Sequence, residues 1–270
     1  MKKNVTGRQL ARVSHVESHE TLWSELYAGN RHTIHCFQPA VEGTEKALEL
    51  QAAQRKRTVW RMDGGSGSDA QLCWLLKRDY HVMAKGLSAM RAATLAKQVR
   101  RWDVWQDAWL AEVPPPIDYG GGPLGAVRVF VKRRIKKGKD CYSYCVSTLS
   151  LPAKGLFMTA YDQRGGAEIE QFRNDKSGLY LAARRKHGFL AQEAYILLTD
   201  LVHNLLSHFH FHALAGTKFD AFGPKRIVRD LFHIPGNLVF DGNQLIRIEL
   251  LSLNQNARDL LLCLQNYCFT

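Results

Sequence analysis

An aspartate beside a glycine-rich loop could support metal chemistry. Asp63 follows the short β-prone segment TVWRM and precedes GGSGSD. A carboxylate at the carboxyl end of a strand can hold a divalent cation in an open site, because the strand fixes the side chain and small neighbours leave room for substrate. An ordinary turn is the alternative reading, since Asp-Gly is a common turn dipeptide. The glycines could also cradle a phosphate, but the Gly-Lys-Ser/Thr ending of such loops is absent.

The segment YDQRGGAEIEQFRNDK carries a second candidate site. If it is helical, Tyr161, Arg164 and Glu168 stand at intervals of three and four and share one face. The acid could ligate Mg²⁺ and the guanidinium could hold a phosphate, so the trio suits phosphodiester chemistry. An exposed helix with i,i+4 ion pairs would show the same spacing. Glu170 competes with Glu168, but two residues turn a helix by about 200°, so only one of them can face Asp63.

Apolar patterning around these segments predicts an α/β fold in three parts. β-prone TVWRM and HVMAK alternate with helical patterns as in an α/β layer, and Ser68 or Asp69 is expected to cap the helix AQLCWLLKRDY. The first part spans 1–102, and a β-rich basic insertion spans 103–150, with antiparallel strands around the turn IKKGKD. The last part, 151–270, is expected to hold a buried helix and a terminal hairpin turning at 241–243.

The balance of charge predicts a polyanionic partner. The chain has 37 Lys+Arg against 25 Asp+Glu, a formal net charge of +12, and basic proteins of this kind often bind nucleic acid. Two basic runs are candidates for DNA phosphate contacts, with a solvated basic face as the alternative. These runs are Lys132, Arg133, Arg134, Lys136, Lys137 and Lys139, and then Arg184, Arg185 and Lys186.

Other residues that attract attention have plainer interpretations. The six cysteines are scattered without a C-x-x-C pair, which indicates reduced thiols. His208, His210 and His212 are expected to interact with a helix dipole rather than with a metal. Trp102, Trp105 and Trp109 stand at helical spacing and are expected to pack in the interior. The start of the chain has no apolar run, so we expect a cytoplasmic protein, associated with the nucleoid when it is bound to DNA.

At the two acidic segments the sequence resembles the DDE-type transposases of bacterial insertion sequences. The matching branch has the signature Y-x-x-R-x-x-x-E followed by a lysine about two turns later, which here reads Tyr161, Arg164 and Glu168. The signature lysine would fall at position 175, where this chain has Asp175, with Lys176 next. SGLYLAARRKHGFLAQEAYILLTDLVHNLL and IVRDLFHIPGNLVFDGNQLIRIELL are similar to the family's C-terminal half.

This resemblance implies a ribonuclease H-like α/β core and a catalytic triad of acids. Asp63 would be the second acid and Glu168 the third, both ligands of a two-metal Mg²⁺ site that activates a nucleophile and stabilises the leaving oxygen. Tyr161, Arg164 and Lys176 would contact DNA. The expected partner is double-stranded DNA at the ends of an insertion sequence, with a homo-oligomer or a mixed oligomer with full-length transposase.

The resemblance also predicts that the first acid is missing. The opening TGRQLARVSH resembles a region that follows the first aspartate in full-length relatives, so we expect N-terminal truncation and weak or no activity of the chain alone. One alternative is a non-catalytic DNA-binding remnant that interferes with intact transposase. Another is a basic α/β interaction protein in which Asp63 and Glu168 are structural.

Overall fold

A computed structural model describes residues 7–31, 34–62, 64–120, 126–157, 172–181 and 188–268. The chain forms two compact units. The first comprises Met1–Ala11 and Glu25–Gly166, and the second comprises Arg12–Ser24 and Ala167–Thr270. A two-stranded sheet of β1 (Arg8–Ser14) and β2 (Thr21–Ala28) contributes residues to both units.

The first unit is built on a mixed six-stranded sheet, which confirms the predicted α/β class. Its strands lie in the order β3, β4, β8, β7, β6, β5, and only the β3–β4 pair is parallel within the described sheet. The bounds are β3 Val59–Met62, β4 His81–Lys85, β5 Asp103–Trp105, β6 Ala108–Val113, β7 Arg128–Lys136 and β8 Lys139–Ser147.

The described helices of this unit are α1 (Ile34–Ala47), α2 (Ala52–Arg55), α3 (Asp69–Lys77), α4 (Ala89–Ala96) and α5 (Ala153–Leu156). All of them except α2 bury apolar side chains. Ser68 caps α3 by accepting a hydrogen bond from the Gln71 N–H, and Ser88 caps α4 through the Arg91 N–H. Such caps satisfy donors that the first helical turn leaves without partners. The largest core cluster includes Leu72, Leu75, Tyr80, Val82, Val129 and Val146.

The β7–β8 hairpin continues the sheet away from the parallel pair. The two strands are in register from Arg128 opposite Ser147 to Lys136 opposite Lys139. Lys137 and Gly138 join them with φ values of 51° and 72°, the geometry of a tight two-residue turn. Trp105, on the edge strand β5, packs against Phe157 in a smaller core cluster. The predicted packing role of Trp105 is therefore confirmed, although it lies on a strand and not on a helix.

The second unit is mainly helical. Its elements are a helix at 172–178 (α6), α7 (Phe189–Phe209), a π turn at His210–Leu214, α8 (Pro224–Arg226) with a π turn at Ile227–Phe232, β9 (Gly236–Asp241), β10 (Gln244–Leu250) and α9 (Ala257–Cys268). β9 and β10 form the predicted hairpin around 241–243, with Gly242 at a φ of 56°. None of the helices in the described part of the chain has the length and apolar character required to span a bilayer.

The long helix α7 departs from the prediction of an all-round buried helix. Its buried face contains Thr199, Asp200 and His203, whereas Leu198 and Leu205 are 61% and 62% exposed. The apolar density of the sequence therefore predicted the helix correctly but not its orientation. Polar residues face inwards because they meet polar partners from the β1–β2 segment of the same unit.

Candidate functional site

Both predicted catalytic residues, Asp63 and Glu168, lie outside the described residues. The same applies to five of the predicted DNA-binding residues, which are Tyr161, Arg164, Arg184, Arg185 and Lys186. The elements on either side are described, however. Met62, the residue before Asp63, is buried at the end of β3, and the described part of helix α6 starts at 172, four residues after Glu168.

The strand that ends at Met62 belongs to a parallel strand–helix–strand unit. β3 pairs with β4 in register from Val59 opposite His81 to Met62 opposite Ala84, and α3 connects the two strands. Residues that directly follow such strands lie at the carboxyl edge of the sheet, where ligand sites of open α/β sheets are found.

Asp69, the other acid of this loop, has a structural role. Both of its carboxylate oxygens accept hydrogen bonds from Arg91, at 2.8 and 2.9 Å, and the Tyr119 hydroxyl donates to it at 3.1 Å. Burial raises the pKa of Tyr119, and the negative charge of Asp69 raises it further. Because its oxygens accept hydrogen bonds from a guanidinium and a phenol, Asp69 links α3 to α4.

The predicted basic run on β7 is divided between the two faces of the sheet, because successive strand residues point to opposite sides. Lys132 is only 2% exposed, and its ammonium lies 4.5 Å from the centre of the Trp105 ring. Arg133 faces the other way, where its Nε donates to Asp140 at 2.9 Å. The run is therefore not one continuous basic surface, and Lys132 is shielded from a partner that stays on the outer surface.

The residue at the position of the expected signature lysine is a buried acid. Asp175 is completely buried in the second unit, whereas Lys176 is exposed. On the helix α6, position 175 thus faces the interior and position 176 faces solvent. Of the two, only Lys176 is accessible to solvent.

A buried polar cluster around Asp175 was not predicted from the sequence. Arg12 donates to Asp175 at 2.5 Å and, through its other terminal nitrogen, to Asp200. His203 Nδ1 lies 2.8 Å from the other carboxylate oxygen of Asp175, Oδ1. The Ser24 hydroxyl donates to Asp200. The cluster joins β1, β2, α6 and α7 within the second unit.

The two carboxyls of this cluster differ in pKa because they differ in cationic neighbours. Burial alone raises the pKa of Asp175, but hydrogen bonds and charges from His203 and Arg12 outweigh it and hold that pKa below its usual value. Burial raises the pKa of Asp200, and Arg12 and Ser24 only partly offset it. The pKa of His203 is raised, because its hydrogen bond to Asp175 outweighs the effect of burial.

His203 resembles the histidine of a Ser–His–Asp triad in its contacts but not in its chemistry. Ser207 Oγ lies 3.3 Å from Nε2, and Asp175 accepts from the other ring nitrogen. Nε2 also lies 2.8 Å from the backbone carbonyl of His19, which can only accept a hydrogen bond. Since both ring nitrogens then donate, the ring is an imidazolium and cannot take a proton from Ser207. The cluster is a structural anchor for α6.

The histidines at the end of α7 and the cysteines make contacts of other kinds. Among the described residues, no three His, Cys, Asp or Glu side chains are grouped closely enough to hold a metal ion. His210 Nε2 donates to the carbonyl of Asp220 at 2.7 Å, and the rings of His208 and His212 are in contact, with centres 4.4 Å apart. The five described cysteines are free thiols.

Comparison with known proteins does not place the chain in a family, since no family model matches it and no curated protein matches it.

Proposed function

We propose that this chain is a DDE-type transposase protein that binds DNA and contributes to Mg²⁺-dependent phosphoryl transfer. The observation that carries the proposal is the parallel unit β3–α3–β4, because Asp63 directly follows the buried last residue of β3. A metal-binding acid at this position is typical of active sites in α/β proteins. The signature spacing of Tyr161, Arg164 and Glu168 supplies the second half of the argument.

The arrangement of the sheet supports a ribonuclease H-like core with an insertion. The parallel pair β3–β4 comes first, and Asp63 follows β3 in the sequence. Four antiparallel strands between 103 and 147 then extend the same sheet before the signature segment begins. In this proposal the antiparallel strands are the β-rich insertion between the second and third acids. They lengthen the core sheet and do not form a separate layer.

The proposed chemistry assigns different tasks to different side chains. Asp63 and Glu168 would be Mg²⁺ ligands, and bound Mg²⁺ would supply charge neutralisation at a phosphate that reacts in line. Arg164 would hold a phosphate oxygen pair through its planar guanidinium. The buried cluster around Asp175 anchors α6, the helix that follows Glu168 in the chain, and would thereby limit movement of the third acid.

The proposal includes weak cleavage by the chain itself. Two-metal phosphoryl transfer of this class uses three acids, and the resemblance matches only Asp63 and Glu168 in the printed sequence. We therefore expect DNA binding to be measurable and nicking to be slow. DNA binding without any Mg²⁺-dependent nicking would instead favour the non-catalytic remnant that competes with an intact transposase.

A plasmid assay tests the proposal. The chain is incubated with supercoiled plasmid in Mg²⁺ or in EDTA, and binding is measured in parallel at increasing salt. We expect salt-sensitive binding and slow nicking that requires Mg²⁺ and disappears in Asp63→Asn. Absence of DNA binding at low salt would refute the proposal, and fast nicking that depends on Asp63 would refute the expectation of a weak enzyme.

A further inference from the structure

The helix α7 continues into a helical turn of a rarer kind. His210–Leu214 follow it as a π turn, in which the Ala215 N–H donates to the His210 carbonyl at 2.8 Å. A π turn spaces its hydrogen-bonded residues five apart instead of four, and such turns occur frequently at functional sites. The side chains that meet at this junction are therefore candidates for a role of their own.

Two histidines meet across the junction. His208 lies in the last turn of α7 and His212 lies in the π turn, and residues four apart share one face of a helical backbone. Their ring centres are 4.4 Å apart and their planes are inclined by 47°. Two histidines at this spacing on one helix face can bind the same metal ion.

Both rings of this pair are accessible to an ion from solvent. His208 and His212 are exposed, and within the described part of the chain neither ring has a hydrogen-bond or ion-pair partner. His210, which lies between them in sequence, differs because its Nε2 donates to the Asp220 carbonyl at 2.7 Å. The candidate ligands are therefore His208 and His212 and not all three histidines.

The separation of the two rings matches neighbouring positions around one ion. Metal–nitrogen bonds are about 2.0–2.1 Å long, so two imidazoles at right angles on one ion have ring centres about 4.5 Å apart, against about 5.2 Å in a tetrahedral arrangement. The 4.4 Å between His208 and His212 is close to the first value. Nitrogen ligands at right angles are typical of Cu²⁺ and Ni²⁺.

The chemistry of the ligands selects the same kind of ion. Among the described residues, no third His, Cys, Asp or Glu is grouped with the pair, so the described ligands are two imidazole nitrogens, with water free to fill other positions. Imidazole suits Cu²⁺, Ni²⁺ and Zn²⁺, whereas Mg²⁺ prefers oxygen ligands. The pair therefore differs in chemistry from the acidic Mg²⁺ site proposed for Asp63 and Glu168.

We propose that His208 and His212 form a binding site for one divalent transition-metal ion, Cu²⁺ or Ni²⁺ in preference to Zn²⁺. This inference goes beyond the proposed function and does not depend on it. It departs from the expectation that these two histidines interact with a helix dipole rather than with a metal. The bound ion would join the last turn of α7 to the π turn.

Metal binding is measured on the full chain without an affinity tag. Ni²⁺ is titrated by calorimetry in excess Mg²⁺, so that any site built from acidic residues is already occupied. The test variants are His208→Gln and His212→Gln, because glutamine is polar and has good helix propensity. The matched control is His35→Gln/His233→Gln, which removes two exposed histidines that are not part of the pair.

We expect one Ni²⁺ site in the wild type. Each test variant retains a single imidazole of the pair and should bind Ni²⁺ more weakly by about tenfold or more, because two linked ligands bind one ion more tightly than either does alone. The control should lose less than about threefold in affinity. Circular dichroism of each variant verifies that the helices are retained.

Electron paramagnetic resonance of Cu²⁺, added at one equivalent, provides an independent readout. Nitrogen hyperfine splitting should report two nitrogen ligands in the wild type and in the control, and at most one in each test variant. Unchanged Ni²⁺ affinity in either test variant, equal weakening in the control, or a wild-type copper spectrum with a single nitrogen would each overturn the proposal. Those results leave plasmid binding and nicking untouched, whereas absence of DNA binding with intact Ni²⁺ binding refutes the proposed function alone.

Discussion

Replacing Arg12 by methionine should strongly destabilise the second unit. The Arg12 side chain is 2% exposed, and its partners Asp175 and Asp200 are 0% and 10% exposed. Methionine fills similar volume without the charge. Asp175 would retain its contact with His203, whereas among the described residues Asp200 would keep the Ser24 hydroxyl alone. The effect is therefore that of breaking one buried ion pair, about 3–5 kcal/mol in the free energy of unfolding.

Hydrogen exchange of α7 (Phe189–Phe209) is the assay, because it reports on the second unit separately from the sheet. The opening free energy of α7 should fall by about 3–5 kcal/mol in Arg12→Met at neutral pH. The control is Arg247→Met, which breaks an exposed ion pair with Glu249 at 2.9 Å and should cost at most about 1 kcal/mol.

Acidification separates an electrostatic cost from lost packing. Burial already raises the pKa of Asp200 in the wild type, and removal of Arg12 should raise that pKa further. The unpaired carboxyl can then take up a proton as the pH falls, so the destabilisation should shrink at acidic pH, by up to about 1.4 kcal/mol per pH unit for one group. A change below about 1 kcal/mol at neutral pH, or a large change that is independent of pH, would refute the buried network as the cause.

Further predictions concern the same cluster and Gly86, which directly follows β4. Because the pKa of His203 is raised in the fold, its protonated ring should stabilise the fold fully below the unfolded pKa of 6.5 and progressively less as the pH rises through the folded pKa. The free energy of unfolding, measured with denaturant from about pH 6 to 9, should therefore fall with pH in the wild type and lose this dependence in His203→Gln. The same pH dependence in both proteins would contradict the prediction. Gly86→Ala would bring a Cβ to 1.9 Å from the Tyr144 ring, and it should lower the free energy of unfolding by about 1–3 kcal/mol in thermal melts. Gly155→Ala is the control, because its Cβ would meet no atom nearer than 3.5 Å. Equal melting temperatures for the two variants would argue against the close contact of Gly86 with Tyr144. Asp175→Lys, which creates the signature lysine, should prevent stable folding of α6 by adding a buried cation beside two others; native circular dichroism and melting would contradict that.

Local signals in the sequence predicted much of the first unit. Ser68 was expected as one of two possible caps for α3, and it makes the capping bond. The basic turn between β7 and β8 was expected because lysine, glycine and aspartate interrupt alternating strands, and Lys137 and Gly138 form that turn. These features depend on neighbours in sequence, so patterning of polar and apolar residues is sufficient to reveal them.

The second unit was less predictable because long-range partners determine it. Arg12 reaches Asp175 and Asp200 across 163 and 188 residues, and no local pattern indicates such contacts. The same cluster explains why α7 turns polar residues inwards, and why the helix α6 presents Asp175 to the interior. The resemblance predicts a lysine at position 175, but no local pattern shows that this position, occupied by Asp175, is buried.

Metal binding by single-residue variants tests the central claim most directly. Mn²⁺ binding to the full chain is measured by electron paramagnetic resonance for the wild type, Asp63→Asn, Glu168→Gln and Glu170→Gln. Glu170 is the matched control, because two residues along a helix rotate the side chain by about 200°. We expect both Asp63→Asn and Glu168→Gln to lose most of the bound Mn²⁺ and Glu170→Gln to retain it. Unchanged binding in Asp63→Asn and Glu168→Gln, or loss only in Glu170→Gln, would contradict the assignment of Asp63 and Glu168 as metal ligands.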